Sequence, residues 1–204
     1  MTRLEFLVAR TLRREAVLAA MGLALPQVLA QLAGEVALVG NARSLAERGH
    51  GAAIDAADLV IRINRAPMPS AASHGTRTDV LALAVGIDAK ALRLLDPRLT
   101  LWMSHKRKRL PWHVAQRPGF ALPPVEDFLR LKAQLGAPPT TGLLMIDLLA
   151  RSKASQVTLY GFDFFASQSL TGSRTAAQVP HDFTTERGFV HALIARDPRF
   201  TLRP

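Results

Sequence analysis

The sequence contains no cysteine. Zinc sites built on thiolates and cysteine nucleophiles are therefore excluded. A chain without disulfides is typical of a reducing compartment, so we expect a cytoplasmic protein. The sequence also has no internal repeat and no low-complexity tract, and 49% of its 204 residues are hydrophobic. A chain of this length and composition can bury a core and form a single domain.

The chain has no apolar run long enough to cross a bilayer. Its most apolar stretch near the start, residues 16–25, follows Arg13 and Arg14 as the apolar part of a secretory signal would. However, Pro26 and Gln27 end the run after about half the length that a membrane-spanning helix needs.

Residues 1–33 instead predict an amphipathic helical segment ahead of a domain that spans residues 34–204. The apolar residues of its first part repeat at helical spacing, namely Leu4, Leu7, Val8 and Leu12. We expect this apolar face to pack on the domain. The alternative is that the basic helix contacts an anionic membrane surface, which would make the protein peripheral at the inner membrane.

Acidic residues are scarce relative to basic ones. The chain has 26 Lys and Arg against 16 Asp and Glu, which gives a net charge of +10. This excess indicates an anionic partner (a nucleic acid, a nucleotide or an anionic lipid surface), unless the charge is simply scattered over the surface. One local cluster, residues 105–109 (HKRKR), lies between Trp102 and Trp112. One interpretation of this cluster is a basic surface for nucleic acid or an anionic membrane, but no nucleic-acid motif accompanies it, so no specific nucleic-acid partner is expected. The other interpretation is a solvated basic loop that covers an acceptor site.

Apolar runs and helical patterns alternate along the chain. Near-continuous apolar runs, typical of strands buried on both faces, occur at residues 35–40, 58–64, 78–84 and 156–160. Further strand patterns occur at 98–104 and 199–202, and helical patterns at 125–135, 142–152 and 184–195. The alternation predicts a single doubly wound, Rossmann-like α/β domain with a mostly parallel sheet. The long polar stretch 166–180 predicts a functional flap.

Polar residues follow the first two predicted strands. Gly40, Asn41, Arg43 and Ser44 come after the first strand, where the start of a helix would direct free N–H groups at a bound phosphate. The second and third glycines of the dinucleotide fingerprint are missing. Asn64 ends the second strand. Its amide either forms hydrogen bonds with a ribose or with the edge of a base, or Asn64 simply begins the next turn.

A third candidate segment is the run Pro139-Thr140-Thr141-Gly142 ahead of an apolar helix. Its two hydroxyl groups and the free N–H groups of the helix start suit an anion site. The alternative is an ordinary helix that Thr140 or Thr141 caps.

The fourth candidate is His181, between the polar stretch and the last predicted helix. Imidazole suits proton transfer near neutral pH. Glu186 lies in the first turn of that helix, where negative charge is favoured. Alternatively, Asp182 or Thr184 caps the helix and His181 is a surface residue.

Together and in this order, these segments resemble the sialyltransferase family (glycosyltransferase family 29) in a short bacterial form. The stretch from VALVGN at residues 36–41 to VIRIN at 60–64 looks like the long sialylmotif, and GTRT at 75–78 is similar to its tail. The stretch from PTTG at 139–142 to YGF at 160–162 looks like the small motif. His181 and Glu186 have the spacing of the very small motif. The resemblance covers most of residues 35–204.

The resemblance implies a GT-A-like variant of the Rossmann-like fold. It also implies transfer of a CMP-activated acidic sugar, such as sialic acid, to a hydroxyl of a glycan or glycolipid acceptor, with inversion. Asn41 would contact the phosphate of CMP, Asn64 the nucleoside, and His181 would be the general base, supported by Glu186. Further nucleotide contacts would come from Gly40, Arg43, Ser44, Thr141, Gly142 and Gly161. The family uses no metal, and the sequence lacks the paired aspartates of metal-dependent sugar transferases, so no cofactor is expected.

The sequence departs from the family pattern in the long and small motifs. Val36 and Ala154 replace the cysteines that link these motifs in animal members, a joint loss that fits a reducing compartment. Arg43 and Ser44 replace a Gly-Asn pair, and Arg43 either contacts the phosphate or obstructs the pocket.

A further departure concerns the family's third motif, a histidine to which the resemblance assigns stabilisation of the departing phosphate. No histidine occurs between residues 164 and 179. Arg174 is the candidate substitute. The alternative function is therefore a non-catalytic accessory protein that binds the nucleotide.

Overall fold

The computed structural model describes residues 1–167, 169–170 and 178–203, and its strands form one seven-stranded sheet. The strands are Ala33–Val39 (β1), Leu59–Ile63 (β2), Val80–Leu83 (β3), Leu99–Trp102 (β4), Phe120–Ala121 (β5), Lys153–Tyr160 (β6) and Phe200–Arg203 (β7). All neighbouring pairs are parallel, so the predicted α/β fold with a parallel sheet is confirmed. The sequence did not indicate β5, because two residues are too short a stretch to show a period.

The helices of the described residues pack on both faces of this sheet. They are Arg3–Thr11 (α1), Glu15–Ala19 (α2), Leu25–Gln31 (α3), Gly51–Ala56 (α4), Ala71–His74 (α5), Ala89–Leu95 (α6), Trp112–Ala115 (α7), Val125–Leu135 (α8), Thr141–Ala150 (α9) and Phe183–Arg196 (α10). Successive strand residues belong to different apolar clusters, as Leu38 and Val39 do in β1. Both faces are therefore buried, which explains the continuous apolar runs of the strands.

The order of the strands creates a switch point between β1 and β6. The sheet runs β5-β4-β3-β2-β1-β6-β7, so the chain builds outward from β1 to one edge and then adds β6 and β7 on the other side. Val39 pairs with Tyr160, which brings the carboxyl ends of β1 and β6 side by side. Ligands of open parallel sheets bind in the crevice outside such a point.

Helix α9 is the most deeply buried helix that the structure describes. Every residue from Thr141 to Leu149 is buried, including Asp147. The Asp147 carboxylate is held by Arg130 at 2.6 Å and by Arg151 at 3.1 Å. Because apolar contacts and ion pairs fix the body of the helix, its N-terminus beside the switch point has a fixed position.

The N-terminal segment consists of three helices, and the expectation for its apolar face is wrong. Phe6 and Ala9 of α1 are buried, whereas the predicted packing face is exposed, at 71% for Leu4, 36% for Leu7, 44% for Val8 and 58% for Leu12. The reason is the larger ring of Phe6, which packs on Trp112 with ring centroids 5.2 Å apart and turns the opposite face outward. None of the helices among the described residues is long and apolar enough to span a membrane.

Candidate active site

A cavity of about 590 Å³ lies at the switch point, outside the carboxyl ends of β1, β2 and β6. Residues from all four candidate segments line it, together with Gly161 at the end of β6. The predicted site residues in its wall are Gly40, Asn41, Asn64, Thr141, Gly142, Gly161, His181 and Glu186. The fold thus brings together residues that are up to 146 positions apart in the chain (from 40 to 186).

Gly40 and Gly161 allow the ends of β1 and β6 to meet. The Gly40 N–H donates to the Tyr160 carbonyl at 2.7 Å, and a Cβ at position 40 would collide with the Gly161 carbonyl oxygen. Gly161 has a φ of 66°, which glycine adopts at no steric cost. Both glycines are therefore needed to form the cavity floor, whether or not a ligand is bound.

Arg43 and Ser44 do not line the cavity, and the helix predicted after Gly40 is absent. A 3₁₀ turn, Arg43–Glu47, follows β1 instead. The Ser44 N–H donates to Ser167 Oγ at 2.9 Å, and Ser44 Oγ donates to Asp163 at 3.2 Å. Since this N–H group is already bonded and Arg43 is exposed outside the cavity, the predicted nucleotide contacts of these two residues do not fit the geometry.

The two asparagines differ in how firmly they are held. Asn41 Nδ2 makes one long bond, 3.4 Å, to the Ile63 carbonyl. Asn64 Oδ1 accepts from the Ala84 N–H at 2.9 Å, and its Nδ2 lies 3.4 Å from Thr141 Oγ1. Each Nδ2 group therefore retains a hydrogen for a ligand. Asn64 also links β2 to β3 and α9, so the turn role and a ligand role are compatible.

The N-terminus of α9 contributes backbone donors to the cavity. Thr140 caps the helix, and its Oγ1 accepts from the Leu143 N–H at 3.1 Å. The N–H groups of Thr141 and Gly142 make no hydrogen bond within the described chain, as expected for the first turn of a helix. Such free donors, together with the helix dipole, form a site for a phosphate.

Glu186 reaches across from α10 to hold the same helix start. Its carboxylate accepts from the Thr140 N–H at 2.6 Å and from Thr140 Oγ1 at 2.7 Å. The side chain is only 4% exposed, and this burial raises its pKa to about 7, although the two bonds from Thr140 oppose the shift. The carboxyl group thus joins α9 to α10 beneath the cavity.

His181 is held in one tautomer by a carbonyl group. Its Nδ1 lies 2.7 Å from the Pro138 carbonyl oxygen, which can only accept, so Nδ1 carries the proton in the neutral ring. Nε2 then has a free lone pair in the cavity wall and no hydrogen-bond partner among the described residues. Asp182 caps α10 by accepting from the Thr185 N–H at 3.0 Å. The capping prediction is confirmed, and His181 nevertheless lies in the cavity wall. We call Thr140, His181 and Glu186 the tethered wall.

Two further arginines complete the cavity, and only one of them lies in a stretch that the sequence singled out. Arg65 follows Asn64, and Arg109 ends the basic cluster 105–109. Both side chains are exposed and make no ion pair or side-chain hydrogen bond within the described residues. We call Arg65, Val85 and Arg109 the arginine wall. The signals were present in the sequence, namely the position next to Asn64 and the cluster itself, but neither distinguishes these arginines from other basic residues.

The remainder of the basic cluster has structural roles. Arg107 is 4% exposed, and its Nε donates to Glu15 at 3.0 Å while Nη1 donates to the Ser104 carbonyl at 2.7 Å. His105 stacks on Phe128 with ring centroids 4.0 Å apart, and burial, followed by the charge of Lys106, lowers its pKa. The interpretation of the whole cluster as a solvated loop is therefore wrong, since Arg107 anchors it to α2.

Two consecutive phenylalanines in the cavity wall have strained backbones. Phe164 and Phe165 have φ values of 53° and 71°, a region that bulky residues rarely adopt. Asp163 holds them there by accepting from the Phe165 N–H at 3.0 Å and the Ser167 N–H at 2.9 Å. Strain of this kind is concentrated at functional sites.

The described ends of the predicted flap border the cavity. Ser169 lines it and pairs with Ala42, and the Leu170 N–H donates to the Asn41 carbonyl at 2.8 Å. Arg174, the candidate substitute for the third-motif histidine, lies outside the described residues. Within the described ranges, no group of three or more histidines and carboxylates is arranged to bind a metal ion.

Comparisons with known proteins bear on this geometry. The model of glycosyltransferase family 29 (sialyltransferase) matches residues 30–112. No curated protein sequence matches the chain. A mammalian sialyltransferase in complex with Gal-beta-1-3GalNAc-ortho-nitrophenol is similar in structure, with a TM-score of 0.61 at 18% identity over 84% of this chain and 69% of the other. The sialyltransferase CstII from Campylobacter jejuni in complex with cytidine-5'-monophosphate is similar with a TM-score of 0.52 at 14% identity over 82% of this chain and 77% of the other.

These comparisons confirm the resemblance to sialyltransferases that the sequence predicted. The matched residues 30–112 contain Gly40, Asn41, Asn64 and both arginines of the arginine wall. The structural likeness extends the same fold over more than four fifths of the chain.

Proposed function

We propose that this chain, which resembles sialyltransferases in sequence and in fold, transfers an acidic sugar from a CMP-activated donor to an acceptor hydroxyl. The donor sugar is sialic acid or a related acid, and the acceptor is a glycan or a glycolipid. One observation carries the proposal: residues of three separate sequence motifs line a single cavity at the switch point of the sheet.

The cavity offers matching groups for a nucleoside monophosphate. We assign the free N–H groups of Thr141 and Gly142 and the Asn41 amide to the phosphate. Asn64, with one free amide hydrogen, is assigned to the nucleoside. The CMP complex of the Campylobacter jejuni relative supports the choice of nucleotide.

His181 is assigned as the general base. Its Nε2 would take the proton of the acceptor hydroxyl as the acceptor oxygen forms a bond to the anomeric carbon and the bond from that carbon to the CMP phosphate breaks. CMP then leaves with the bonding electrons. The carbonyl contact to Nδ1 keeps the lone pair directed into the cavity and stabilises the charged ring that forms.

A single displacement with inversion fits the carboxylates of the cavity. Asp163 and Glu186 are the acidic residues in its described wall. Both are hydrogen-bonded, Asp163 to Ser44, Phe165 and Ser167, and Glu186 to Thr140. These accepted hydrogen bonds make both carboxylates weaker nucleophiles, whereas a double displacement would need one of them to attack the anomeric carbon.

We propose a reaction without a metal, located in the cytoplasm. The helix start of α9 and the arginine wall supply positive charge that a cation would otherwise bring to the phosphate. Activity that persists unchanged in excess EDTA would support this part of the proposal.

The second candidate is a non-catalytic protein that binds the same nucleotide. The observation that favours it is the absence of any histidine between residues 164 and 179. A protein of this kind would bind CMP through Asn41, Asn64 and α9 but would not turn over a donor.

Nucleotide selectivity tests the proposal. Calorimetry and thermal unfolding with CMP, UMP, GDP and NAD should show that CMP binds most tightly and raises Tm most, because selective binding stabilises the native state. Asn64→Ala should weaken CMP binding, and Arg43→Ala, outside the cavity, should not. No affinity for CMP would refute both candidates. If the protein binds CMP but releases none from CMP-sialic acid, with or without acceptors, the result would support the non-catalytic accessory protein.

A further inference from the structure

The solvent-exposed face of α1 is apolar, although other residues attach the helix to the domain. Phe6 and Ala9 fill the inner face, and Arg10 Nη1 donates to the Leu110 carbonyl at 2.9 Å. These contacts hold α1 on the domain. The exposed Leu4, Leu7, Val8 and Leu12 lie within an arc of about 140° at 100° per residue, and no charged residue falls inside that arc. We call these four residues the outer face.

Cations outnumber acids around the outer face, and one of the two nearby acids is ion-paired. Arg3, Arg13 and Arg14 at the two ends of α1 are exposed and unpaired within the described chain. Glu5 accepts from the Thr2 N–H in a capping box at 2.7 Å, and Glu15 is paired with Arg107. The face therefore presents apolar side chains within a net positive rim.

This combination favours an anionic lipid surface over a second copy of the chain. Two copies meeting at this face would bring their arginines together, and the chain already carries a net charge of +10. Four partly exposed side chains also offer less than the roughly 800 Å² per partner that a stable interface buries. Neither objection applies to a lipid surface. Apolar side chains enter the boundary between headgroups and acyl chains, and cations contact the phosphates.

The inner side of α1 is connected to the cavity wall. The 3₁₀ turn Arg107–Arg109 contacts α1, and the bond from Arg10 to the Leu110 carbonyl lies one residue from Arg109 of the arginine wall. Lys106 and Lys108 of the same stretch are exposed. This stretch therefore adds exposed positive charge beside α1.

We propose that the outer face of α1 docks the protein on an anionic lipid surface. The contact is peripheral and reversible. It does not depend on the identity of the nucleotide or of the sugar.

Vesicle flotation tests the docking. The full chain is mixed with phosphatidylglycerol-containing vesicles or with pure phosphatidylcholine vesicles at low and high salt. Binding is expected to the anionic vesicles only and to weaken with salt. Leu4→Ser/Leu7→Ser should lower the partition coefficient at least about tenfold, since about 0.8 kcal/mol is lost per buried CH₂ group. Arg3→Gln/Arg14→Gln should lower it about fivefold per cation.

The matched control is Leu129→Ser. Leu129 is 54% exposed on α8, which packs on the other face of the sheet. This variant should bind vesicles as the wild type does, and thermal unfolding without ligand should show that all variants remain folded. Equal partitioning of Leu4→Ser/Leu7→Ser and wild type would overturn the proposal. So would a wild-type dimer that Leu4→Ser/Leu7→Ser converts to a monomer without any vesicle binding, because the face would then be a self-interface.

Discussion

The two named walls of the cavity differ in how their polar groups are satisfied. Thr140, His181 and Glu186 of the tethered wall are bonded to one another or to the backbone at 2.6 to 2.7 Å. Arg65 and Arg109 of the arginine wall make no such bond among the described residues. The tethered wall is therefore preorganised, which suits proton transfer and phosphate binding. The arginine wall keeps its side-chain freedom and must lose entropy on binding, which suits recognition of a variable anionic group.

The largest expected effect is the fall in kcat when the general base of the tethered wall is removed. His181→Ala should lower kcat for sugar transfer by about 10²- to 10⁴-fold. The Kd for CMP should change little, because the nucleotide groups are assigned to other residues. Steady-state kinetics with CMP-sialic acid and calorimetry with CMP measure the two quantities.

His181→Asn is the control for lost structure. The asparagine Nδ2 can replace Nδ1 as donor to the Pro138 carbonyl, but the side chain provides no base at the position of Nε2. We expect this variant to have wild-type Tm and the same loss of kcat. Retained transfer by His181→Asn would show that another group accepts the proton.

The next effect is a pH dependence of stability that Glu186 introduces. Its pKa is raised by burial to about 7 in the folded protein, against 4.5 for an exposed glutamic acid. The folded state thus holds a proton that the unfolded state releases, so the contribution of Glu186 is complete below about pH 4.5 and is lost as the pH rises to about 7. The loss is on the order of 3 kcal/mol in the free energy of unfolding.

Glu186→Gln isolates this contribution. Glutamine keeps an acceptor for the Thr140 N–H but does not titrate. Burial lowers the pKa values of His74 and His105, which gives the opposite slope, so the difference between wild type and variant is the quantity to measure. Urea unfolding between pH 4.5 and 7.5 should show that the wild type loses stability relative to Glu186→Gln. Parallel curves would mean that Glu186 stays ionised throughout.

A smaller effect is expected from the cap of α9. Thr140→Ala removes the acceptor for the Leu143 N–H and one donor to Glu186, which should cost about 1 kcal/mol of stability. Thr140→Ser retains both bonds and should stay close to the wild type. Thermal unfolding distinguishes the variants, and equal destabilisation by serine and alanine would contradict the capping role.

The sequence predicted the tethered wall better than the arginine wall for a physical reason. Thr140 and His181 lie at helix starts, where local patterns limit the choice of residue. Arg65 and Arg109 are exposed arginines in a chain with 26 Lys and Arg, and neither the position after Asn64 nor the cluster 105–109 distinguishes them from the others. The pattern after β1 predicted a helix, but Ser44 bonds to Ser167 and Asp163, more than a hundred residues away, and these contacts favour a 3₁₀ turn.

Local sequence patterns also could not predict which face of α1 is buried. Leucines at helical spacing identify an apolar face but not its direction. The direction depends on whether the leucines or Phe6 has a partner, and Trp112 provides that partner for Phe6. The fold class followed from runs of eight residues or fewer, because burial on both faces leaves a continuous apolar pattern.

The smallest effects should come from the arginine wall. Arg65→Ala and Arg109→Ala should leave Tm nearly unchanged, because both side chains are exposed and neither has an ion pair or side-chain hydrogen bond among the described residues. Each should weaken binding of the anionic substrate about two- to fivefold, as exposed charge pairs do, and the loss should shrink at high salt. Arg43→Ala, an equally exposed arginine outside the cavity, should have no effect on KM. If all three substitutions raised KM alike, the effect would come from net charge, and the two walls would not differ in ligand recognition.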